Sequence, residues 1–363
     1  MIEEQKHAFA QIIGYIKTEC PSAVVIAGDV YDRAVPSTES VSVFDDFITD
    51  LAKLDVAVLL ISGNHDSPER MSYASRLLLE NQLFFYGTFD GTIHKIVLSD
   101  EYGEVNFWLL PFIKPSSVRG MFDEKEIESH EDAVAAALEA TEIDDTARNV
   151  LVSHQFYTKS GVNPIRSESE LNAVGGLDAV DAGLIERFDY AALGHLHGNQ
   201  SVGAKHIRYC GSPTKYSFSE WRQEKSVTAV ELREKGMQKI ESLPLVPLHD
   251  MREIKGEIET LMSEKIVSLA NKDDYLRVIL TDEAEIVDPM SKLRSIYPNI
   301  MNLDFENSRT SVDLGTITTD VETVEKLSSY DLFGEFFLNV QGSVMTKKQS
   351  GIVRELLESL EGA

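Results

Sequence analysis

Along residues 2–19 the apolar positions Phe9, Ile12, Ile13 and Ile16 recur at helical spacing, which predicts an amphipathic helix. A short β-branched run follows, Ala23-Val24-Val25-Ile26-Ala27, and stops at Gly28-Asp29. Phe44, Phe47, Ile48, Leu51 and Leu54 form a second helical stripe, with Pro36-Ser37 as its start signal. Val56-Ala57-Val58-Leu59-Leu60-Ile61 is another continuous apolar run, ending at Ser62-Gly63-Asn64-His65-Asp66. Strand-like runs separated by helical patterns predict crossover units and a layered α/β core.

Further on, residues 105–110 read as a strand and 124–140 as an alanine-rich helix. Residues 150–154 and 190–195 read as two more strands that end in polar residues. Residues 207–232 are β-rich, and Pro244 and Pro247 bracket a boundary. Beyond it lie a strand over 275–280, a helix over 288–297 and a strand over 301–305. Two helices, over 329–339 and 346–360, close the chain, with Gly342 between them.

Composition narrows the class. A length of 363 residues predicts more than one domain, and 43% hydrophobic residues suffice for a core. Against 34 basic residues stand 60 acidic ones, a net charge of −26. That balance excludes a broad basic face for gripping nucleic acid phosphates and favours attraction of cations. Two cysteines, Cys20 and Cys210, cannot form a disulfide framework, so a reducing compartment is expected. The polar, acidic N-terminus is unlike a signal peptide, and no apolar run approaches the ~20 residues that span a bilayer. A soluble cytoplasmic protein is the expectation.

Four strand ends carry residues that can bind metal: Gly28-Asp29-Val30-Tyr31-Asp32, Gly63-Asn64-His65-Asp66, Ser153-His154-Gln155 and Gly194-His195-Leu196-His197. In layered α/β sheets, ligand sites gather beyond the carboxyl ends of strands, and glycine there lets backbones approach. Taken singly, each corner is ordinary: Gly-Asp after a strand is more often a turn than a ligand. Taken together, in this order, they predict a metal centre. Asp, Asn and neutral imidazoles suit Mn²⁺, Zn²⁺ or Fe²⁺ better than Ca²⁺. Asp29 can bridge two such ions, an arrangement that serves phosphate ester hydrolysis.

The ordered set GDVYDR, GNHDSPER, SHQF and GHLH resembles the calcineurin-like metallophosphoesterases. Residues outside the corners narrow the resemblance to the SbcD family, the nuclease subunits of bacterial SbcCD exonucleases. They are residues 26–32, Leu110-Pro111-Phe112, residues 207–213 and Tyr216-Ser217-Phe218-Ser219-Glu220. The fold this implies is a calcineurin-like core of sheets flanked by helices, with a smaller α/β capping domain and a C-terminal helical pair. The corresponding boundaries are 1–245, 246–320 and 321–363. By resemblance, Asp29 bridges two Mn²⁺ ions, Asn64, His154 and His195 complete the second site, and His197 belongs to the first. His65 would face the scissile phosphate, orienting it or protonating the leaving oxygen. Asp66 would hold the loop or the His65 ring, or simply cap the helix begun by Pro68.

The family pattern opens with a strand ending in Asp-x-His, and none of the nine histidines has Asp two positions before it. The expectation is that about 20–30 residues, one strand and its connection, precede Met1 in the complete pattern. Activity of the chain as it stands is then expected to be impaired. Leu332, Phe333, Phe336 and Phe337 share one face of the penultimate helix, and Ile352, Val353, Leu356, Leu357 and Leu360 one face of the last. The plain reading is mutual packing. The resemblance implies docking on the coiled-coil base of an SbcC-like ATPase subunit, within a heterotetramer built on a homodimer. Its implied substrates are double-stranded DNA ends and hairpins, met at the bacterial nucleoid and not at a membrane. The competing expectations are a non-catalytic adaptor for the ATPase and a phosphoesterase for small molecules or proteins.

Overall fold

The computed structural model describes residues 1–122, 125–159, 164–170, 178–308, 329–341 and 344–361. It divides into two compact units, Met1–Leu248 and His249–Ala363. In the first unit, helix α1 (Ile2–Glu19) precedes strand β1 (Ala23–Ala27), and helix α2 (Thr38–Ala52) precedes β2 (Ala57–Ile61). The start of α2 is set by Ser37, whose hydroxyl accepts the Ser40 N–H and so satisfies a first-turn donor. Phe9 of α1 stacks on Phe47 of α2 with ring centroids 4.2 Å apart.

β1, β2 and β3 (Leu83–Tyr86) form a parallel three-stranded sheet in the order β1-β2-β3. A second sheet takes in β4 (His94–Asp100), β5 (Gly103–Leu110) and β6 (Arg148–Ser153). After a short parallel pair, β7 (Phe156–Thr158) and β8 (Ala179–Asp181), it continues with β9 (Tyr190–Leu193), β10 (Gln200–Val202) and β11 (Ala204–Tyr209). Its order is β10-β11-β9-β6-β5-β4, with antiparallel pairs at both edges and parallel pairs between them. β12 (Ser226–Leu232) and β13 (Gln238–Pro244) form a hairpin.

The strand period of two assigns each residue to a layer. Ala57, Leu59 and Ile61 of β2 pack against Leu109, Val150 and Val152 in a core between the two sheets. Their neighbours Val58 and Leu60 face the other way, onto Ile16 of α1 and Phe47 of α2. In the second sheet Trp108, Leu110 and Leu151 turn outward to a third core that includes Ala133, Val134 and Ala137 of the helix His130–Glu139. The result is helix–sheet–sheet–helix, four stacked layers with an apolar core between each pair. Each residue of β2 is buried, whereas Val24, Val25 and Ile26 of β1 are half-buried, because among the described residues β1 pairs with β2 alone.

Two helices are shorter than their apolar pattern suggests. The one expected over 124–140 begins at His130, because Ser129 and Asp132 cap each other's backbone N–H groups. The one expected over 288–297 is confined to Pro289–Arg294, after which Tyr297 turns its hydroxyl to the Leu261 carbonyl at 2.8 Å. In the second unit β14 (Met251–Gly256), β15 (Tyr275–Leu280) and β16 (Ile300–Phe305) form a parallel sheet. It buries Leu276, Val278 and Leu280 with Leu293. Helices Ser329–Gln341 and Lys347–Glu361 end the described chain. Gly342 and the acidic stretch 320–326 lie outside the described residues, as does the Leu360 side chain.

Leu59 is 0% exposed at the centre of the inter-sheet core. Leu59→Ala is therefore expected to lower unfolding stability by about 2–5 kcal/mol. Urea titration followed by circular dichroism measures it, and a loss well below 1 kcal/mol would mean the two sheets are not closely packed there.

Candidate metal centre

The carboxyl ends of β1, β2, β6 and β9 meet although they belong to different sheets. Asp29 follows β1 with φ 50°, and His195 follows β9 with φ 94°. A non-glycine residue held at positive φ costs about 1–3 kcal/mol, a strain that recurs at functional sites. Both distortions turn a side chain back into the junction. Asp29 Oδ2 lies 3.0 Å from His154 Nε2. Asn64 Oδ1, from the loop after β2, lies 3.1 Å from the same nitrogen and 2.9 Å from His195 Nδ1. Ligand atoms of Asp29, His154 and His195 all fall within 4.8 Å of one another. His197 is not part of this group.

The second nitrogen of His154 fixes the chemistry. Nδ1 sits 2.6 Å from the Ala27 carbonyl, an acceptor, so it must donate. In the neutral ring the lone pair is then on Nε2, aimed at two oxygen acceptors. Lone pairs facing lone pairs are repulsive unless a proton or a cation lies between them. Burial alone would push the His154 imidazole down, yet the Asp29 carboxylate beside it leaves it above its ordinary value. Burial likewise acts to raise Asp29, but His154 and the His65 N–H hold it down at about 2. His195 is lowered to about 3 by burial and by the neighbouring His154, so it is neutral at pH 7. One carboxylate, one amide oxygen and two imidazoles thus make a donor set that fits a divalent transition metal.

The loop after β2 is bound to the loop after β1. His65 N–H donates to Asp29 Oδ1 at 2.9 Å, and its ring Nδ1 lies 3.0 Å from the Asp32 carbonyl. The buried Asp66 carboxylate accepts from the N–H groups of Gly63, Val30 and Tyr31 at 2.8, 3.2 and 3.1 Å. Asp66 therefore grips loop backbone, while the helix from Pro68 is preceded by Ser67 as its cap residue. Phe112, after β5, sets its ring edge-on to His154 with centroids 6.2 Å apart.

His197 stands in a different environment. Its Nδ1 is 3.0 Å from Glu220 Oε1, and Lys225 Nζ donates to Glu220 Oε2 at 2.6 Å. Burial favours the neutral Glu220 acid, but His197 and Lys225 outweigh it and hold the carboxyl below its usual range. No pattern in the sequence marks Glu170 or Lys225, and Glu220 stands out only within the wider resemblance over residues 216–220. In the second unit, Leu332, Phe333 and Phe336 are exposed and Phe337 is half-buried, with the Phe333 and Phe336 rings 6.1 Å apart.

Paired sheets with metal-type donors at their shared end are the architecture of a phosphoesterase, and the calcineurin-like phosphoesterase model matches residues 2–199. The chain belongs to that family, whose members bind divalent metal. Residues 247–341 match the family model described as the type 5 capsule protein repressor C-terminal domain. Among curated proteins, the D subunit of the SbcCD nuclease of Staphylococcus epidermidis is 33% identical over 360 residues, covering 98% of this chain and 93% of that one. Among solved structures, TT1561 of Thermus thermophilus gives a TM-score of 0.40 at 16% identity, covering 66% of this chain and 93% of that one. Phosphopantetheinyl hydrolase of Mycobacterium tuberculosis gives 0.30 at 16% identity, covering 52% and 79% respectively.

A cation entering between Asp29 and His154 competes with the proton that the Asp29 carboxylate favours on the His154 ring. Mn²⁺ affinity is therefore expected to fall as pH drops below neutral, and binding should release protons. Calorimetry in buffers of different ionisation enthalpy measures both, and His154→Ala should lose the binding heat. Affinity equal in the variant, or independent of pH, would remove His154 from the ligand set.

Proposed function

We propose that this chain is the metal-dependent nuclease subunit of an ATP-driven complex that processes double-stranded DNA ends and hairpins. The observation that carries the proposal is the convergence of Asp29, His154 and His195 around Asn64 at the shared end of two sheets. The identity of 33% to an SbcCD nuclease subunit, spread over 98% of the chain, supports it. Two Mn²⁺ ions are the proposed cofactors, which Asp29, Asn64, His154, His195 and His197 would hold. Bound there, the ions would activate water and neutralise charge on the phosphate.

The protein's own groups supply positioning. His65 is fixed by its N–H on Asp29 and its Nδ1 beside the Asp32 carbonyl. With Nδ1 so engaged, Nε2 is the nitrogen that orients the phosphate or hands a proton to the leaving oxygen. Asp66 keeps the two loops in register through its three backbone bonds. The strongly acidic chain relies on its metals, and on a partner, to receive DNA. The proposed partner is an SbcC-like ATPase, docked through Leu332, Phe333, Phe336 and Phe337. A homodimer within a heterotetramer is the proposed assembly, and the bacterial cytoplasm at the nucleoid its setting. No helix among the described residues is long and apolar enough to cross a membrane.

With the ATPase subunit and Mn²⁺ present, His65→Ala is expected to slow cleavage of an end-labelled duplex by about 10²–10⁴-fold. Bound metal, counted by elemental analysis, should stay unchanged. Metal loss in the variant would make His65 a ligand instead.

Replacing both Phe333 and Phe336 with Asp is expected to abolish capture of the ATPase coiled-coil base in a pull-down. Burying two unpaired carboxylates in an apolar groove costs several kcal/mol. Undiminished capture would mean that these helices serve only packing.

A further inference from the structure

His197 is gripped at three points. Its N–H donates to Glu170 Oε1, and its carbonyl accepts from Lys225 Nζ at 2.8 Å. Its ring Nδ1 lies 3.0 Å from Glu220 Oε1. Glu220 is 0% exposed, and Lys225 closes the group by donating to Glu220 Oε2 at 2.6 Å. The same ammonium reaches Ser212 Oγ at 2.9 Å and Gln223 Oε1 at 2.8 Å, so it joins the loop after β9 to the loop after β11.

A buried carboxylate–ammonium pair is seldom more stabilising than an apolar pair of the same volume. Placing one beneath a single imidazole points to a purpose other than stability. An ionised carboxylate can only accept, so Nδ1 of His197 must be the donor. In the neutral ring Nε2 then carries the lone pair. A metal-ligating imidazole is commonly held by such a bond from its other nitrogen, which sets both tautomer and ring angle.

We infer that Glu220, anchored by Lys225, is a positioning residue that locks His197 as the Nδ1–H tautomer and presents Nε2 to a divalent metal. The inference rests on His197 being a metal ligand, as proposed above. Glu220 itself does not touch the metal. Its carboxylate acts through the ring, while Glu170 and Lys225 hold the His197 backbone at its two ends.

The wild-type chain provides the first test. With ¹⁵N-labelled histidine, long-range ¹H–¹⁵N correlation at neutral pH should show His197 as the Nδ1–H tautomer, its signal assigned by its loss in His197→Ala. A predominant Nε2–H form would overturn the inference. Electron paramagnetic resonance titration then compares Mn²⁺ affinity in wild type, Glu220→Gln and His197→Ala. Glu220→Gln should weaken binding by about 10–100-fold. Unchanged affinity in Glu220→Gln, with a loss in His197→Ala, overturns the role of Glu220 alone. Unchanged affinity in both overturns His197 as a ligand and the inference with it. If Glu220→Gln fails to fold, Glu220→Asp keeps the charge beside Lys225 and shortens the reach to Nδ1. The two readouts then carry the same meanings.

Discussion

Where β1 and β6 end, the two sheets come within a hydrogen bond of each other: His154 Nδ1 on the Ala27 carbonyl, 2.6 Å, fully buried. Two glycines permit that approach. A Cβ on Gly28 would stand 2.5 Å from His154 Nδ1, and one on Gly194 would overlap the Ala27 carbonyl oxygen. The bond does more than join the sheets, because it uses the imidazole's donor and leaves its acceptor for the junction. From that one contact follow the position of Asp29 opposite His154, the placement of Asn64 between the two histidines, and the need for a cation or proton among them.

The same economy of donors recurs around the site. Asp66 commits its carboxylate to three backbone N–H groups that line the two loops of the first sheet. Glu220 and Lys225 do for the His197 loop of the second sheet what Asp66 does for the first. Charged groups are thus buried on both sides of the junction, and each is matched by bonds to the loops that carry the ligand candidates.

Much of this is legible in the residues alone. β1 and β2 announce themselves as continuous apolar runs, because strands covered on both faces need no polar positions. The four corners are legible because glycine and metal-type donors follow strand ends in a fixed order. What stays hidden has physical reasons. β3 is four residues long, and β4 is an edge strand whose exposed positions break the apolar run, so neither stands out. The helix at His130 is bounded by a reciprocal cap that outweighs the propensity of the residues before it. Glu170, Glu220 and Lys225 are of types that normally face water, and no periodicity marks the rare ones that do not. Nor does the sequence reveal that the four corners are split between two sheets, since strand order is a long-range property.

Asn64 and His195 bond to each other across 131 residues of chain, and Ala27 and His154 across 127. No local segment can therefore assemble the junction by itself, since its contacts close long stretches of chain. The cluster is in effect a seal on the finished fold. A cation that binds it binds only the native state, and at a hundred times its dissociation constant adds about 2.7 kcal/mol to global stability. Occupancy of the cluster would thus set how much of the chain stays folded, quite apart from any chemistry done there.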